Sequence, residues 1–434
     1  MTKTGTVFFQ DSPIGEIEQT TEKYYEFSYD PQNENAVSWT LPRNQTIHKS
    51  EEFFPFFDGL IPEGWLLNLV TKNWKIPQND RMSLLLTVCQ DCIGAVHVQA
   101  QTAVKRAQAS SFQKPTSTYK TSRCLICTEP LKKDQGSAHM RCARKLFGVT
   151  EMPFVDVSLV DLEKLALLQV NQRVTLTGVQ KKLSLTPIVE NQKKERLTVA
   201  SLDGRFILKP PTDEYPEMPE IEHISMRLAE LQGLRMAECG LIPLSSGELA
   251  YITKRFDRTD TGKIQMEDFC QLSRKPTGKK YSGSSENLGK VIDEFSGQAA
   301  DDKLTLFQII LFSFWIGNTD MHLKNFSLWR DPESQSVRMT PGYDFLSTRL
   351  LISKKEDVEE LALPVNGRKN KLKWSDFVSF GNSLKIPHKV QLNVRNRLLD
   401  SLAESESLIE ASFLTAAKQE EFVRLLRQHS KRLV

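Results

Sequence analysis

Residues 313–329 read SFWIGNTDMHLKNFSLW, a polar island between an apolar stretch of helical character and a strand-like FSLW. Polar groups flanked this way are costly to bury unless they are paired or put to use. Asp320 and Asn325 have four residues between them, and His322 and Lys324 lie in the gap. A carboxylate at the first position can accept a hydroxyl proton, and an amide at the second can offer an oxygen to a hard divalent cation. The plainer reading is a turn in which Asn318, Thr319 and Asp320 cap the neighbouring elements.

Working outward, the Asp320 to Asn325 separation is that of a protein-kinase catalytic loop, which makes Asp320 the candidate base and Asn325 a candidate magnesium ligand. Lys324 would then stabilise charge growing on a transferred phosphoryl group, and His322 would stand at the nucleotide. A second carboxylate, Asp344 in MTPGYDFL, follows a turn at Asp331 and Pro332 that would fold two strand-like pieces into a hairpin. Asp344 could then face Asn325 across one magnesium ion, an oxygen ligand set that suits that metal.

Upstream, GRFILKPP ends a β-prone run at Lys209, which resembles the strand lysine that contacts nucleotide phosphates. Thirteen residues on, Glu222 lies beside a helical face of Ile221, Ile224, Leu228 and Leu231, so an ion pair with Lys209 is expected. TLTGVQKKLSL, residues 175–185, is a glycine-bearing turn between β-prone pieces whose backbone around Gly178, Val179 and Gln180 could cradle phosphate. MEDFCQL, residues 266–272, connects the two halves, and Glu267 and Phe269 could offer backbone groups to adenine. The competing reading of that stretch is a buried segment around Phe269 and Leu272.

Cys124, Cys127, His139 and Cys142 form C-x-x-C, eleven residues, then H-x-x-C. Four soft ligands at these spacings suit a closed tetrahedral zinc site with a scaffolding role. The alternative is ordinary buried cysteines with a surface histidine. Basic residues around them, Lys132, Lys133, Arg141, Arg144 and Lys145, allow a nucleic-acid contact but read more simply as solvated surface. Cys89 and Cys92 form another C-x-x-C in a strand-like context where burial is expected.

The 434 residues exceed one ordinary core and suggest two to four units. With 39% hydrophobic and 26% charged residues the composition is that of a folded globular protein, and a net charge of only +3 creates no overall field for nucleic acid or an anionic membrane. A start without signal-peptide character, no bilayer-length apolar run and seven cysteines, an odd count, point to the reducing cytoplasm and no disulfide framework. We expect a small β-rich domain at 1–100, a polar linker at 101–122, a zinc-ribbon-like segment at 123–148, a mixed lobe with its hinge at 149–272 and a helical lobe at 273–434. The fold class is α+β, with a bilobal kinase-like core.

Taken in order, FFDGLIPEG, DCIGAV, TGVQKKLSL, FILKPP, ITKRFDR, MEDFCQ, GNTDMHLKN, PGYDFLSTR and ALPVNGRK resemble the HipA-like kinases, toxins of bacterial type II toxin–antitoxin modules, over nearly the whole chain. The resemblance implies a serine/threonine kinase using ATP and magnesium, with Asp320 as base, Asn325 and Asp344 on magnesium, Lys209 on the phosphates, Glu222 positioning Lys209, and Glu267 with Phe269 at the adenine. It implies an autophosphorylation site in the glycine-containing loop, where Thr175 and Thr177 stand in place of the family's usual serine. It further implies an aminoacyl-tRNA synthetase as substrate, and a helix-turn-helix antitoxin through which DNA is reached indirectly. The other reading is a catalytically weak nucleotide-binding regulator acting through such a partner. The cysteine-rich insert departs from the shortest members of the family.

Overall fold

The computed structural model describes residues 2–20, 24–100, 119–133, 135–155, 157–190, 193–199, 204–353 and 355–434. Most of the segment expected as a linker, 101–118, lies outside the described residues.

The chain opens with β1 (Lys3–Phe9), β2 (Ser12–Gln19), β3 (Tyr25–Tyr29) and β4 (Ile47–Ser50), joined later by β5 (Val96–Ala100) in an antiparallel sheet of order β4-β3-β2-β1-β5. Alternate residues such as Phe27 and Tyr29 point inward, as strand periodicity requires. They meet α1 (Pro55–Leu60), α2 (Gly64–Trp74) and α3 (Arg81–Val88) in one apolar core. The helical stretch after residue 52 divides in two because Ile61, held before Pro62, is extended at ψ 139°.

The cysteine-bearing segment contributes α4 (Met140–Phe147) and packs against a six-stranded sheet of order β10-β11-β9-β7-β8-β6. Its strands are β6 (Phe154–Val155), β7 (Leu183–Glu190), β8 (Lys193–Val199), β9 (Phe206–Lys209), β10 (Cys239–Pro243) and β11 (Leu249–Lys254). Helix α5 (Leu162–Asn171) leads into β7, and α6 (Met218–Leu231) follows β9. Cys124, Ile126, Cys142 and Leu146 share a core with Leu183, Leu208 and Ile252 of this sheet.

A small hairpin, β12 (Arg258–Thr259) and β13 (Gly262–Lys263), precedes β14 (Met266–Asp268) and α7 (Phe269–Leu272). The rest is a helical lobe of α8 (Ser285–Phe295), α9 (Ala299–Ile316), α10 (Trp374–Ser383), α11 (His388–Asp400), α12 (Leu402–Glu410) and α13 (Ala416–Ser430). Apolar on almost every side, α9 runs through the largest core, where Phe307, Phe312, Phe314 and Trp315 are buried. It stops at Gly317, whose φ of +70° favours glycine and where a Cβ would sit 2.9 Å from Arg349 and Leu425 side-chain carbons. The hairpin expected at Asp331 and Pro332 is present as β15 (Ser327–Arg330) and β16 (Val337–Met339), with β14 completing the sheet β14-β15-β16. Among the described residues no helix is long and apolar enough to cross a membrane.

The first domain is tied to the hinge by buried polar contacts. Arg258 bonds Asp91 at 2.9 Å and Asp257 at 2.6 Å, while Arg255 pairs with Asp257 at 2.8 Å and donates to the Cys92 carbonyl at 3.0 Å. Nearby, Gln271 donates to the Phe56 carbonyl at 2.9 Å, and Thr277 N–H donates to Asp58 at 2.7 Å.

Candidate active site

The cleft between the lobes gathers residues from distant parts of the sequence, among them Thr177, Gly178 and Lys182; Lys209; Asp257, Met266 and Asp268; His322, Lys324 and Asn325; and Asp344. Lys209 ends β9, its ammonium 2.5 Å from Glu222 on α6 and 2.6 Å from Asp344 beyond the hairpin. Burial alone would depress this ammonium, but Asp344 and Glu222 outweigh it and hold the lysine above its usual range. Burial pushes Glu222 upward against the pull of Lys209. At Asp344 burial acts the same way, yet Lys209 and Lys182 bring it down to about 2. The Asp344 side chain is 35% exposed on its cleft side, and its backbone adopts φ +58°, a strained conformation for a non-glycine residue.

After Gly317 the polar island closes on itself. Asn318 Oδ1 accepts from the Asp320 N–H at 3.1 Å, and Thr319 bonds the Thr348 hydroxyl through its backbone at 2.7 Å. Asn325 donates its amide N–H to the Asp320 carbonyl at 3.0 Å, which turns its amide oxygen the other way. The turn reading fits, since these short side chains shape the loop; Asn325 lines the cleft, while the Asp320 carboxylate is exposed and is not among the residues that line it. The exposed Asp320 carboxylate accepts from the Tyr281 hydroxyl at 2.5 Å, and the Tyr281 ring packs edge-on to His322 at 5.0 Å. Nδ1 of His322 and Oε2 of Glu222 are buried without a hydrogen-bond partner among the described residues, so the cleft holds polar capacity that its own side chains leave unused.

The expected residues differ in how they meet the cleft. The Glu267 side chain points away from it and accepts from Ser38 Oγ and Trp39 N–H, both at 2.7 Å, because strand alternation sends Met266 and Asp268 to the cleft side. Burial raises the Glu267 carboxyl to about 8 despite those two donors. Phe269 is fully buried, its ring 5.9 Å from Phe326, and its N–H is spent on the Phe326 carbonyl, so the buried-segment reading of this stretch fits. In the glycine-bearing loop Thr177 and Gly178 line the cleft, whereas Val179 is exposed and Gln180 bonds Met218 Sδ at 2.8 Å. Thr175 is buried, its hydroxyl directed at the Asp91 carbonyl and Cys92 Sγ. Lys324 lines the cleft, but its ammonium is engaged by Asp268 at 2.9 Å and lies 3.7 Å from Glu63 of the first domain.

Lys182 and Tyr281 escaped the reading of the sequence. Lys182 is buried under the loop and donates to the Thr177 carbonyl at 2.7 Å; burial lowers its ammonium to about 8, with Asp344 opposing. Its only signal was a second lysine after the glycine. Tyr281 stands in a lysine- and serine-rich stretch without periodicity, and no local pattern marks it.

Away from the cleft, ligand atoms of Cys124, Cys127, His139 and Cys142 all lie within 4.8 Å of one another. His139 Nδ1 is 3.3 Å from Cys127 Sγ, while its Nε2 is 3.1 Å from the Pro130 carbonyl, the outward hydrogen bond that orients a metal-ligating imidazole. Three thiol groups and one imidazole converging this closely suit a tetrahedral soft-metal site. Cys89 and Cys92 are buried in the first domain.

A strand lysine paired with a helix glutamate, facing an aspartate and an asparagine across an interlobe cleft, defines a protein of kinase-like architecture. The profile of the HipA-like C-terminal domain matches residues 174–406, and that of the HipA N-terminal domain matches residues 5–99. The chain belongs to the HipA-like kinase family. A Haemophilus influenzae relative is 27% identical over 319 residues, covering 66% of this chain and 89% of that one. The serine/threonine-protein kinase toxin HipA of Shewanella oneidensis is 25% identical over 288 residues, covering 59% of this chain and 64% of its own. The solved structure of the S. oneidensis HipA, HipB and operator DNA complex contains a chain of the same fold, with a TM-score of 0.70, 19% identity, and coverage of 99% of this chain and 97% of that one.

Proposed function

We propose that the protein transfers the γ-phosphoryl group of ATP to a serine or threonine hydroxyl of a protein. The observation that carries this reading is the bridge of Lys209 between Glu222 and Asp344 in a cleft that also presents Asn325 and Lys182. Lys209 and Lys182 would meet the triphosphate, with Glu222 holding Lys209 in place. Asp344 and Asn325 supply carboxylate and amide oxygens, a donor set that fits magnesium. That ion would offset phosphate charge during transfer.

Asp320 accepts the proton of the incoming hydroxyl as its oxygen bonds to the γ-phosphorus. The bond to the bridging oxygen breaks and ADP leaves. Tyr281 holds the Asp320 carboxylate and must yield to, or sit beside, the incoming hydroxyl. Thr177, at the cleft, is the autophosphorylation site we favour over buried Thr175. A phosphate there would add close to two negative charges beside the nucleotide and expel the loop, switching the enzyme off.

The four-ligand cluster at Cys124 would hold structural zinc. By family, the protein substrate would be a translation component such as an aminoacyl-tRNA synthetase, and a helix-turn-helix antitoxin would restrain the toxin and link it to DNA. The test is incubation with magnesium and ATP followed by mass spectrometry of the chain and added candidate proteins. Phosphate incorporation that falls roughly a hundredfold in Asp320→Asn supports the reading; equal incorporation by both proteins refutes it.

A further inference from the structure

The cysteine cluster and the cleft are joined through two adjacent residues of one helix. Ile126 lies inside the turn between Cys124 and Cys127, and its carbonyl accepts from His223 Nε2 at 2.9 Å, with both residues buried. The neighbouring Leu125 carbonyl accepts from the Leu241 N–H of β10 at 2.8 Å. Gly240 allows that approach, since a Cβ there would fall 3.0 Å from Ile126 Cγ1 and 3.4 Å from its Cα. The ligand turn is thus held by the sheet on one side and by α6 on the other. His223 is followed back by Glu222, whose carboxylate is 2.5 Å from Lys209.

We infer that metal bound by Cys124, Cys127, His139 and Cys142 positions α6 through His223, and thereby couples metal occupancy to nucleotide affinity in the cleft. The inference rests on reading the cluster as a metal site and the cleft as a nucleotide site. Ligation fixes the conformation of a C-x-x-C turn whose two sulfurs are otherwise met by the His139 N–H and imidazole. When the turn relaxes, the Ile126 carbonyl moves away from a buried N–H donor that has no water to replace it. Helix α6 then shifts to recover a partner, and Glu222 moves with it. His223 acts here as a positioning residue, touching neither metal nor nucleotide.

Such coupling is reciprocal: nucleotide must tighten metal by the factor with which metal tightens nucleotide. The experiment measures the equilibrium partition of zinc between the full chain and a chromogenic chelator, with and without saturating magnesium and a non-hydrolysable ATP analogue. Analogue binding is measured separately by calorimetry. We expect the analogue to tighten zinc about tenfold, within the usual range of allosteric coupling. His223→Phe should retain zinc but lose the tightening, and His223→Gln, which restores an N–H donor, should recover it. A zinc affinity that ignores a bound analogue in the unaltered protein overturns the inference, whatever the variants do. A folded chain that takes up no zinc removes the metal reading and the inference with it, whereas zinc uptake without analogue binding removes the cleft reading instead.

Discussion

The Lys209 ammonium donates to the Asp344 carboxylate at 2.6 Å across 135 residues of sequence, while Glu222 holds the same ammonium from the other side. Two carboxyl groups thus share one buried ammonium. Asp344→Asn leaves Lys209 its Glu222 partner, so the fold should survive. It deletes a carboxylate that would hold magnesium on the nucleotide both before and during transfer, and phosphoryl transfer should drop about a hundredfold or more. Transfer rates with an unchanged melting temperature check this; transfer near the unaltered rate would count against Asp344 as a metal ligand.

Tyr281 donates one charge-assisted hydrogen bond to the Asp320 carboxylate. Its removal in Tyr281→Phe should shift the barrier by about 1.5 kcal/mol, the lower end for a bond to a charged group, and lower the rate about tenfold. Asp320→Ala, by contrast, should cost about a hundredfold. Parallel kinetics of the two variants test whether Asp320 acts as the proposed base and Tyr281 only as its hydrogen-bond partner.

Lys182 predicts a pH dependence. Burial lowers its ammonium to about 8, so below that pH it is already charged and ready for an anion. Above it, binding a triphosphate must recruit a proton, and affinity should weaken by up to about tenfold per pH unit. Lys182→Arg, charged throughout, should flatten this limb of the calorimetric profile. An unchanged profile would detach Lys182 from the nucleotide.

Phosphorylation within the glycine-bearing loop should map to Thr177 by tandem mass spectrometry. Thr177→Ala should abolish it and Thr175→Ala should not, because the Thr175 hydroxyl is enclosed between Asp91 and Cys92. Phosphate found on Thr175 would require the loop to leave the packing described above.

The junction of first domain and hinge rests on buried charges. Asp257→Ala strips a carboxylate shared by Arg255 and Arg258, both almost fully buried, and should destabilise the protein by about 3–5 kcal/mol in denaturant titrations. A loss under about 1 kcal/mol would mean that water readily enters this junction.

How much of this the sequence disclosed follows from range. The spacing of Asp320 and Asn325, the strand ending at Lys209 and the four metal-type ligands are local patterns, and each leaves a signature within a few residues. The helical face that placed Glu222 beside Lys209 is equally local. Which face of β14 meets the cleft is settled by pairing with β15, so the Glu267 side chain turns to Ser38 and Trp39 while Met266 and Asp268 line the cleft. Lys324 lines the cleft, but its ion-pair partners Asp268 and Glu63 come from 56 residues away and from another domain, beyond the reach of a local pattern. Tyr281 and Lys182 gained roles only from tertiary neighbours.

Calorimetric titration of the full chain with ATP, in magnesium and again in a chelator, tests most directly whether the cleft is the proposed magnesium-dependent ATP site of Lys209, Glu222, Asn325 and Asp344. Saturable binding that needs magnesium and weakens at least tenfold in Asp344→Asn is the predicted result. Absence of binding, or binding indifferent to both magnesium and Asp344, would contradict it.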